Sequence, residues 1–99
     1  MKHALAAHPG DGVANALDDL APGEAFACSG AGKECNLTAK ERIPFGFKVA
    51  LVPIPKGGDI IKYGEVIGRA SRDIAPGDCV HVHNVEGKRG RGDQQGRTS

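Results

Sequence analysis

The chain has 99 residues, a formal net charge of +1, fifteen glycines, six prolines and only four aromatic side chains. This length supports one domain with a thin core, and the balanced charge excludes a global field that would draw the chain to nucleic acid or to a membrane. The glycine and proline content favours short strands joined by tight turns over a helix bundle, and the sequence contains no run of about twenty apolar residues that would span a bilayer.

A domain of this size rarely encloses a deep pocket by itself, so we expect either a site shared with another chain or a binding role. Residues 1–86 are predicted to form the domain. Residues 87–99 are predicted to be a flexible tail rich in Gly and Arg. The basic residues of the tail are Lys88, Arg89, Arg91 and Arg97.

The N-terminal region is predicted to hold a strand at residues 2–7 and, after a turn at residues 8–10, a helix. Asp11 is a favourable residue for the N-cap of that helix. The apolar residues that follow recur at the spacing of one helical face, at Val13, Ala16, Leu17 and Leu20. We therefore predict one short helix over residues 11–20.

The rest of the domain is predicted to consist of short strands bounded by Gly and Pro. The predicted strands lie at residues 25–28, 35–39, 48–52, 60–63, 65–67 and 79–83. Residues 29–34 contain two glycines and are predicted to form a hairpin loop. The fold class is therefore mostly β with one short helix.

One turn sequence recurs, as Asp-Leu-Ala-Pro-Gly-Glu at residues 19–24 and Asp-Ile-Ala-Pro-Gly-Asp at residues 73–78, with a looser copy at residues 54–59. In each copy Gly sets a turn, an acidic residue follows and a strand begins. The repetition predicts a pseudo-symmetric small β fold, although three ordinary turns would produce the same pattern.

Three cysteines, Cys28, Cys35 and Cys79, occur without a recognisable secretion signal. An odd number of cysteines in such a chain indicates reduced thiols and a cytoplasmic protein. Cys28 and Cys35 are too far apart in sequence for a zinc-finger pair and are expected to flank the predicted hairpin or to pack as small apolar side chains.

The His81-Val82-His83-Asn84 segment is the strongest candidate for a functional site. Two histidines at positions i and i+2 of a strand point the same way, so both rings would reach one metal ion or one anionic substrate. An exposed polar face on an edge strand explains the same pattern equally well.

Three further residues carry weaker signals. His8 ends the first strand just before the predicted N-cap, a position where ligands often collect, but it also suits an ordinary turn. Lys62 belongs to a Lys-Tyr-Gly-Glu segment that reads equally as a strand entering a turn, and Lys48 begins a strand.

Taken in order, several blocks of the chain resemble one known family. The blocks are His8 with Asp11 and Val13, and residues 43–51, 60–68, 80–84 and 89–93. They resemble the SAF-type N-terminal domain of the altronate and galactarate dehydratases, and also the small subunit of sulfolactate sulfo-lyase. Two positions depart from the family pattern: Phe47 stands where His is usual, and Gly12 stands where Asn is usual.

The resemblance implies a small β-clip fold, the SAF domain, and a large partner, fused or separate, that completes an active site. It implies a sugar-acid dehydratase (hydro-lyase) of hexuronate catabolism, inactive without its large subunit, that eliminates water from a hexonate. Substrate binding is expected at Lys48, Lys62, His81, His83 and Asn84. His8 is the candidate metal ligand, and a divalent metal (Fe²⁺ or Mn²⁺) is compatible with the full complex.

Two alternatives remain beside the dehydratase. One is the small subunit of a sulfolactate sulfo-lyase, which expels sulfite where the dehydratase expels hydroxide. The other is a SAF module that binds carbohydrate or a partner without chemistry of its own. Neither nucleic acid nor a membrane is expected as a partner, and a homo-oligomer stays open.

Overall fold

The fold is built from nine short strands, seen in a computed structural model that describes residues 1–81 and 83–87, with Lys33 described by its backbone alone. The strands are β1 (Lys2–Leu5), β2 (Val13–Ala16), β3 (Ala25–Gly30), β4 (Lys33–Thr38), β5 (Lys48–Ala50), β6 (Asp59–Lys62), β7 (Glu65–Ala70), β8 (Cys79–Val80) and β9 (Val85–Glu86). The mostly β class predicted from the sequence is confirmed. The predicted tail lies almost wholly outside the described residues.

Two sheets make up the molecule. The larger sheet has the strand order β4-β3-β1-β2-β5-β8, and the smaller has the order β6-β7-β9. β1 and β3 run parallel, while the other paired strands are antiparallel. The smaller sheet is attached beside β2, where the Gly12 N–H donates to the Ile61 carbonyl at 3.0 Å.

The predicted helix at residues 11–20 is wrong: the described residues contain no helix, and Val13–Ala16 forms strand β2 between β1 and β5. Val13 belongs to one buried apolar cluster, while Ala14 and Ala16 belong to another on the opposite face of the sheet. A strand buried on both faces is apolar nearly throughout, so its pattern is hard to distinguish from a short helix. Leu17, assigned to the buried helical face, is 44% exposed.

Four tight turns share one geometry, at residues 21–24, 44–47, 55–58 and 75–78. In each, the fourth N–H donates to the first carbonyl at 2.7–3.0 Å, and the third residue is a glycine with φ between 82° and 95°. A type II turn requires positive φ there, which glycine adopts at no steric cost. The repeated sequence motif marks three of them, whereas the turn at 44–47 lacks the acidic residue of that motif.

Each of these turns is joined by backbone hydrogen bonds to one buried alanine. The turn glycine donates its N–H to the alanine carbonyl, and the alanine N–H donates to the carbonyl of the last turn residue, with bonds of 2.7–2.9 Å. The alanines, in the order of the turns, are Ala39, Ala16, Ala70 and Ala50. The repeated bonds confirm the pseudo-symmetric arrangement predicted from the repeated sequence.

The strand predicted at residues 79–83 is shorter than expected, because β8 ends at Val80. His81 and Asn84 then close a turn in which the Asn84 N–H donates to the His81 carbonyl at 3.0 Å. Val82, which lies within the predicted strand, is outside the described residues. The geometric premise that His81 and His83 share one face of a strand is therefore wrong.

Candidate functional site

The six candidate site residues do not form one constellation. Lys48 and His81 line one groove, and His83 and Asn84 line a separate pocket. Lys62 and His8 lie at a third place, beside the turn that joins β6 to β7. We refer to these three places as the lysine groove, the acidic pocket and the hairpin corner.

The lysine groove has a volume of about 410 Å³. Lys48, at the start of β5, lies directly opposite Val80 of β8, and His81 follows immediately. The groove is lined by Lys48, Ile67, Val80, His81, Val85 and Gly87. One cation and one imidazole beside a mainly apolar wall suit a small anionic ligand.

The imidazole of the groove is positioned by an aromatic contact. The rings of Phe47 and His81 have their centroids 4.3 Å apart and their planes inclined by 34°. Tilted arrangements are a favoured geometry for ring pairs, so this contact orients the exposed His81 imidazole. Phe47 therefore helps to fix the position of the His81 ring that lines the groove.

Asn15 adds an unsatisfied acceptor on the same sheet. Asn15 is the register partner of Lys48 across the β2–β5 pair. Its Oδ1 is enclosed by protein and has no hydrogen-bond partner in the part of the chain that the structure describes. Buried polar groups without a partner are uncommon in folded proteins and are often found at functional sites.

The acidic pocket, about 210 Å³, differs from the groove in charge. Its lining consists of Glu41, Arg72, Asp73, Asp78, His83 and Asn84. The carboxylates of this pocket accept backbone hydrogen bonds that hold turns and strand ends, including one from the Cys79 N–H to Glu41 at 3.0 Å. Three carboxylates against one guanidinium make this pocket less suited to an anionic substrate than the groove.

Asn84 is a structural link between the groove and the acidic pocket. It is 4% exposed, its Oδ1 accepts from the His81 N–H at 2.9 Å, and its Nδ2 donates to the Cys79 carbonyl at 2.8 Å. These bonds use much of the capacity of the side-chain amide, so they fix the turn that carries both histidines. Its role in substrate binding stays a prediction.

Burial raises the pKa of the Cys79 thiol, and the negative charges of Glu41 and Asp78 raise it further. A raised pKa keeps the thiol protonated, and a protonated thiol is a poor nucleophile. The three cysteines form no disulfide among the residues described, and Cys28 and Cys35 face each other across the β3–β4 hairpin, as predicted.

The hairpin corner is built on an unusual two-residue turn. Tyr63 and Gly64 connect β6 to β7 with φ of 56° and 75°. Two positive φ values are the mark of a type I′ turn, which prefers Asn or Asp at its first position. Tyr63 occupies that position instead, at a cost on the order of 1 kcal/mol, and its side chain is 65% exposed.

A buried carboxylate holds this turn in place. Asp11 is 1% exposed, and its two oxygens accept from the His8 N–H at 3.1 Å and from the Gly64 N–H at 2.9 Å. Burial alone would raise the pKa of Asp11, but hydrogen bonds from the backbone of Gly64, Tyr63, Ala7 and His8 outweigh it and lower the pKa. Asp11, predicted to be a helix N-cap, therefore joins the end of β1 to the β6–β7 turn across 53 residues.

His8 packs against the same turn. A Cβ atom added to Gly64 would lie 3.1 Å from His8 Nε2, so the ring covers the glycine. The Gly10 N–H donates to His8 Nδ1 at 3.1 Å, which places the proton of a neutral imidazole on Nε2. In this tautomer Nε2 is a hydrogen-bond donor.

Lys62 is 4% exposed and yet carries an ammonium group 4.0 Å from the centroid of the Tyr63 ring. Its register partner Glu65 is exposed. No acceptor for Lys62 Nζ is found in the described part of the chain, where the ion pairs are Lys2 with Glu24 and Arg69 with Asp59. A lysine this buried is normally paired.

The described residues do not fit a metal centre. Among them no three His, Cys, Asp or Glu side chains come close enough to hold one ion. Asp11 accepts from backbone N–H groups, and His8 Nδ1 accepts from the Gly10 N–H, so these atoms already have partners. The metal role of His8 stays a prediction, and no chemical step is assigned to a metal here.

The contact of Asp11 with Gly64 and the backbone strain at Tyr63 have no reliable signal in the sequence. Asp11 resembles a helix N-cap in the sequence, and only the fold shows that its carboxylate accepts from the Gly64 N–H. The strain at Tyr63 is equally invisible, although an aromatic residue before Gly between two strand patterns already suggests a tight hairpin.

Comparison with known proteins finds a family model that covers most of the chain. The family model described as "Altronate/galactarate dehydratase SAF domain" matches residues 2–88. That range includes the lysine groove, the acidic pocket and the hairpin corner. In the described residues no helix is long and apolar enough to cross a membrane.

Three similar proteins show where such a domain occurs. Altronate dehydratase of Bacillus subtilis (strain 168) is 40% identical over 86 residues, which cover 87% of this chain and 16% of that enzyme. Altronate dehydratase of Escherichia coli (strain K12) is 42% identical over 78 residues, 79% of this chain and 15% of that enzyme. The (2R)-sulfolactate sulfo-lyase subunit alpha of Paracoccus pantotrophus is 49% identical over 54 residues, 54% of this chain and 81% of that subunit. The chain thus spans about a sixth of the altronate dehydratases.

Proposed function

Because the chain belongs to the altronate/galactarate dehydratase SAF-domain family, we propose that it acts as the small subunit or N-terminal domain of a sugar-acid dehydratase. It lines an active site for the elimination of water from a hexonate, and a larger dehydratase body supplies the remaining groups. The small share of the altronate dehydratases that this chain covers supports the need for such a body.

The lysine groove is the observation that carries this proposal. Elimination begins with loss of the proton next to the substrate carboxylate, and negative charge then develops on the carboxylate oxygens. A cation held at those oxygens stabilises the charge as it forms. Lys48 supplies such a cation, and His81, supported by Phe47, supplies a hydrogen-bonding or proton-carrying group within the same groove.

Exposed apolar side chains support contact with a larger partner. Phe45 is 66% exposed and Leu17 is 44% exposed. They lie near each other, because the Gly46 N–H that follows Phe45 donates to the carbonyl of Ala16 at 2.8 Å. Neighbouring exposed apolar side chains on a small domain are typical of an interaction surface.

A second candidate function is a subunit of a sulfolactate sulfo-lyase. The sulfo-lyase alpha subunit of Paracoccus pantotrophus is itself short, and 81% of it aligns with this chain at 49% identity. Its elimination also begins next to a carboxylate, so the lysine groove would serve both reactions. The leaving group, sulfite or hydroxide, is chosen by residues that the partner contributes.

The decisive experiment is a reconstitution. The purified chain is assayed alone and with a large dehydratase subunit of the same family, on altronate, galactarate and sulfolactate. We expect no turnover by the chain alone and turnover of one substrate class by the complex. Turnover without any partner contradicts the proposal, and an inactive but assembled complex supports a non-catalytic binding module.

Lys48→Met tests the groove within that complex, with Lys56→Met as the matched control on an exposed turn. Loss of a charged contact made to the reacting carboxylate should lower kcat/KM by about a hundredfold. The control should leave kcat/KM within about twofold. If the two substitutions lowered kcat/KM equally, Lys48 and the lysine groove would have no role in the reaction.

A further inference from the structure

We propose that the hairpin corner is a carboxylate-binding site, distinct from the lysine groove, whose occupant is a small polyhydroxy acid. Lys62, Tyr63 and His8 are the groups that contact the ligand. The carboxylate follows from the structure of the corner itself. The choice of a polyhydroxy acid rests on the proposed function.

The buried lysine is the first support. Lys62, like Ile60 on the same strand, is buried, so folding has already ordered most of this side chain. Its ammonium is not among the enclosed polar atoms that lack a partner in the described residues, so it still meets solvent. An ordered ammonium with solvent contact and no protein acceptor is arranged for an anion from outside.

The strained turn is the second support. A type I′ turn with Asn at the place of Tyr63 would form more readily, so the aromatic ring is retained against the preference of the backbone. The ring lies under the Lys62 ammonium at 4.0 Å and exposes most of its surface. One part of the ring thus orients the cation, and the exposed part offers an apolar face to the C–H groups of a carbon chain.

The corner offers one carboxylate two contacts, while the carboxylate of Glu65, the register partner of Lys62, is exposed to solvent. His8 contributes an N–H donor at Nε2 beside Gly64, and Lys62 contributes the positive charge. The negative charge of Asp11 is directed to the backbone N–H groups of His8 and Gly64. A single cation with a neutral donor suits a singly charged carboxylate better than a doubly charged phosphate.

The experiment is a titration of the full chain with D-gluconate, followed by amide chemical shifts in ¹⁵N-edited NMR spectra. D-Glucitol, which lacks the carboxylate, is the control ligand. We expect saturable shifts centred on Tyr63, Gly64 and His8 with gluconate and none with glucitol. Shifts centred on Lys48 and His81, equal shifts with glucitol or no saturable shift at all would overturn the proposal.

Variants separate binding from folding. Lys62→Met keeps the buried stem and removes the charge, and it should weaken gluconate binding at least about tenfold. Tyr63→Asn should weaken binding about threefold or more while the melting temperature stays the same or rises, because the turn is relieved. Lys56→Met should bind as the unmodified chain does. A Tyr63→Asn chain that melts lower and binds normally would refute the role of the ring.

This test is independent of the reconstitution assay. Binding at the corner with no lyase activity in the complex would overturn the proposed dehydratase and leave the site standing. Turnover by the complex without gluconate binding at the corner would overturn the site alone. The localisation by NMR uses the unmodified chain, so it holds even if Lys62→Met were to fold poorly.

Discussion

The lysine groove and the hairpin corner each present a lysine beside an aromatic ring, but the two regions are supported in different ways. In the groove, Lys48 is half-buried on a strand and His81 rests on Phe47 through a contact between side chains. In the corner, a buried carboxylate holds the backbone of a strained turn, and Lys62 is almost fully enclosed. Substitution of the carboxylate that holds the corner should therefore affect stability far more than substitution of the side chains that line the groove.

Asp11→Asn should have the largest effect on stability. The amide can still accept from one backbone N–H, but its NH₂ group would face another donor, leaving buried N–H groups without a partner. We expect a loss of about 2–3 kcal/mol in the free energy of unfolding, measured by urea denaturation. A loss below about 0.5 kcal/mol would mean that the carboxylate is not what holds the turn.

The same variant should change the dependence of stability on pH. The pKa of Asp11 in the folded chain lies below its ordinary value of 3.8. Its stabilisation is therefore complete above that value and is lost as the pH falls through the lower folded pKa. The stability difference between the unmodified chain and Asp11→Asn should be constant near neutral pH and should shrink only in acid. A difference that already shrinks near neutral pH would contradict the lowered pKa.

Asn84→Ala should have an intermediate effect on stability, because it removes the side-chain amide that holds the turn between Cys79 and Asn84. The substitution leaves the Cys79 carbonyl and the His81 N–H without their side-chain partners. We expect a loss of about 1–2 kcal/mol in the free energy of unfolding. His83→Ala, one position earlier and exposed, is the control and should be close to neutral. Equal losses in the two variants would show that the turn is held by other contacts.

The double substitution of His81 and His83 by Ala should have the smallest effect on stability, within about half a kcal/mol, because both side chains are exposed. Its effect on the reconstituted complex should instead be a loss of activity or of partner affinity. The single variants His81→Ala and His83→Ala separate the two residues, and His81→Ala should account for most of the lost activity or partner affinity. A melting temperature lower by many degrees would make the pair structural, and unchanged activity and stability would leave it a solvated surface.

Much of the fold followed from the sequence, and the failures share one cause. The strands at β1, β3 to β7 and the hairpin at Cys28 and Cys35 are bounded by Gly and Pro signals that act locally. The helix predicted at residues 11–20 was wrong because β2 is buried on both faces, which removes the alternation that marks a strand. The strand predicted at residues 79–83 ends early because the Asn84 side chain accepts a hydrogen bond from the His81 N–H and closes a turn there.

The candidate site was predicted as a set of residue types rather than as an arrangement. His81, Lys48, Lys62 and His8 all lie at grooves or corners of the surface, but spacing along the chain could not divide them among three places. His81 and His83 are two residues apart and line different pockets. Local spacing predicts a shared face only while the strand continues, and β8 stops at Val80.

The sequence by itself determined the mostly β class, the repeated turns and the family resemblance, because each depends on the chemistry of neighbouring residues. A glycine that must adopt positive φ and an acid that accepts from a nearby N–H act within a few residues. Only the tertiary structure decided that Asp11 holds Gly64, that Phe47 contacts His81 and that the Lys62 ammonium lies over the Tyr63 ring without an acceptor in the described chain. Asp11 and Gly64, or Phe47 and His81, meet because sheet pairing brings distant segments together, and no local preference encodes which distant group a buried polar side chain will meet.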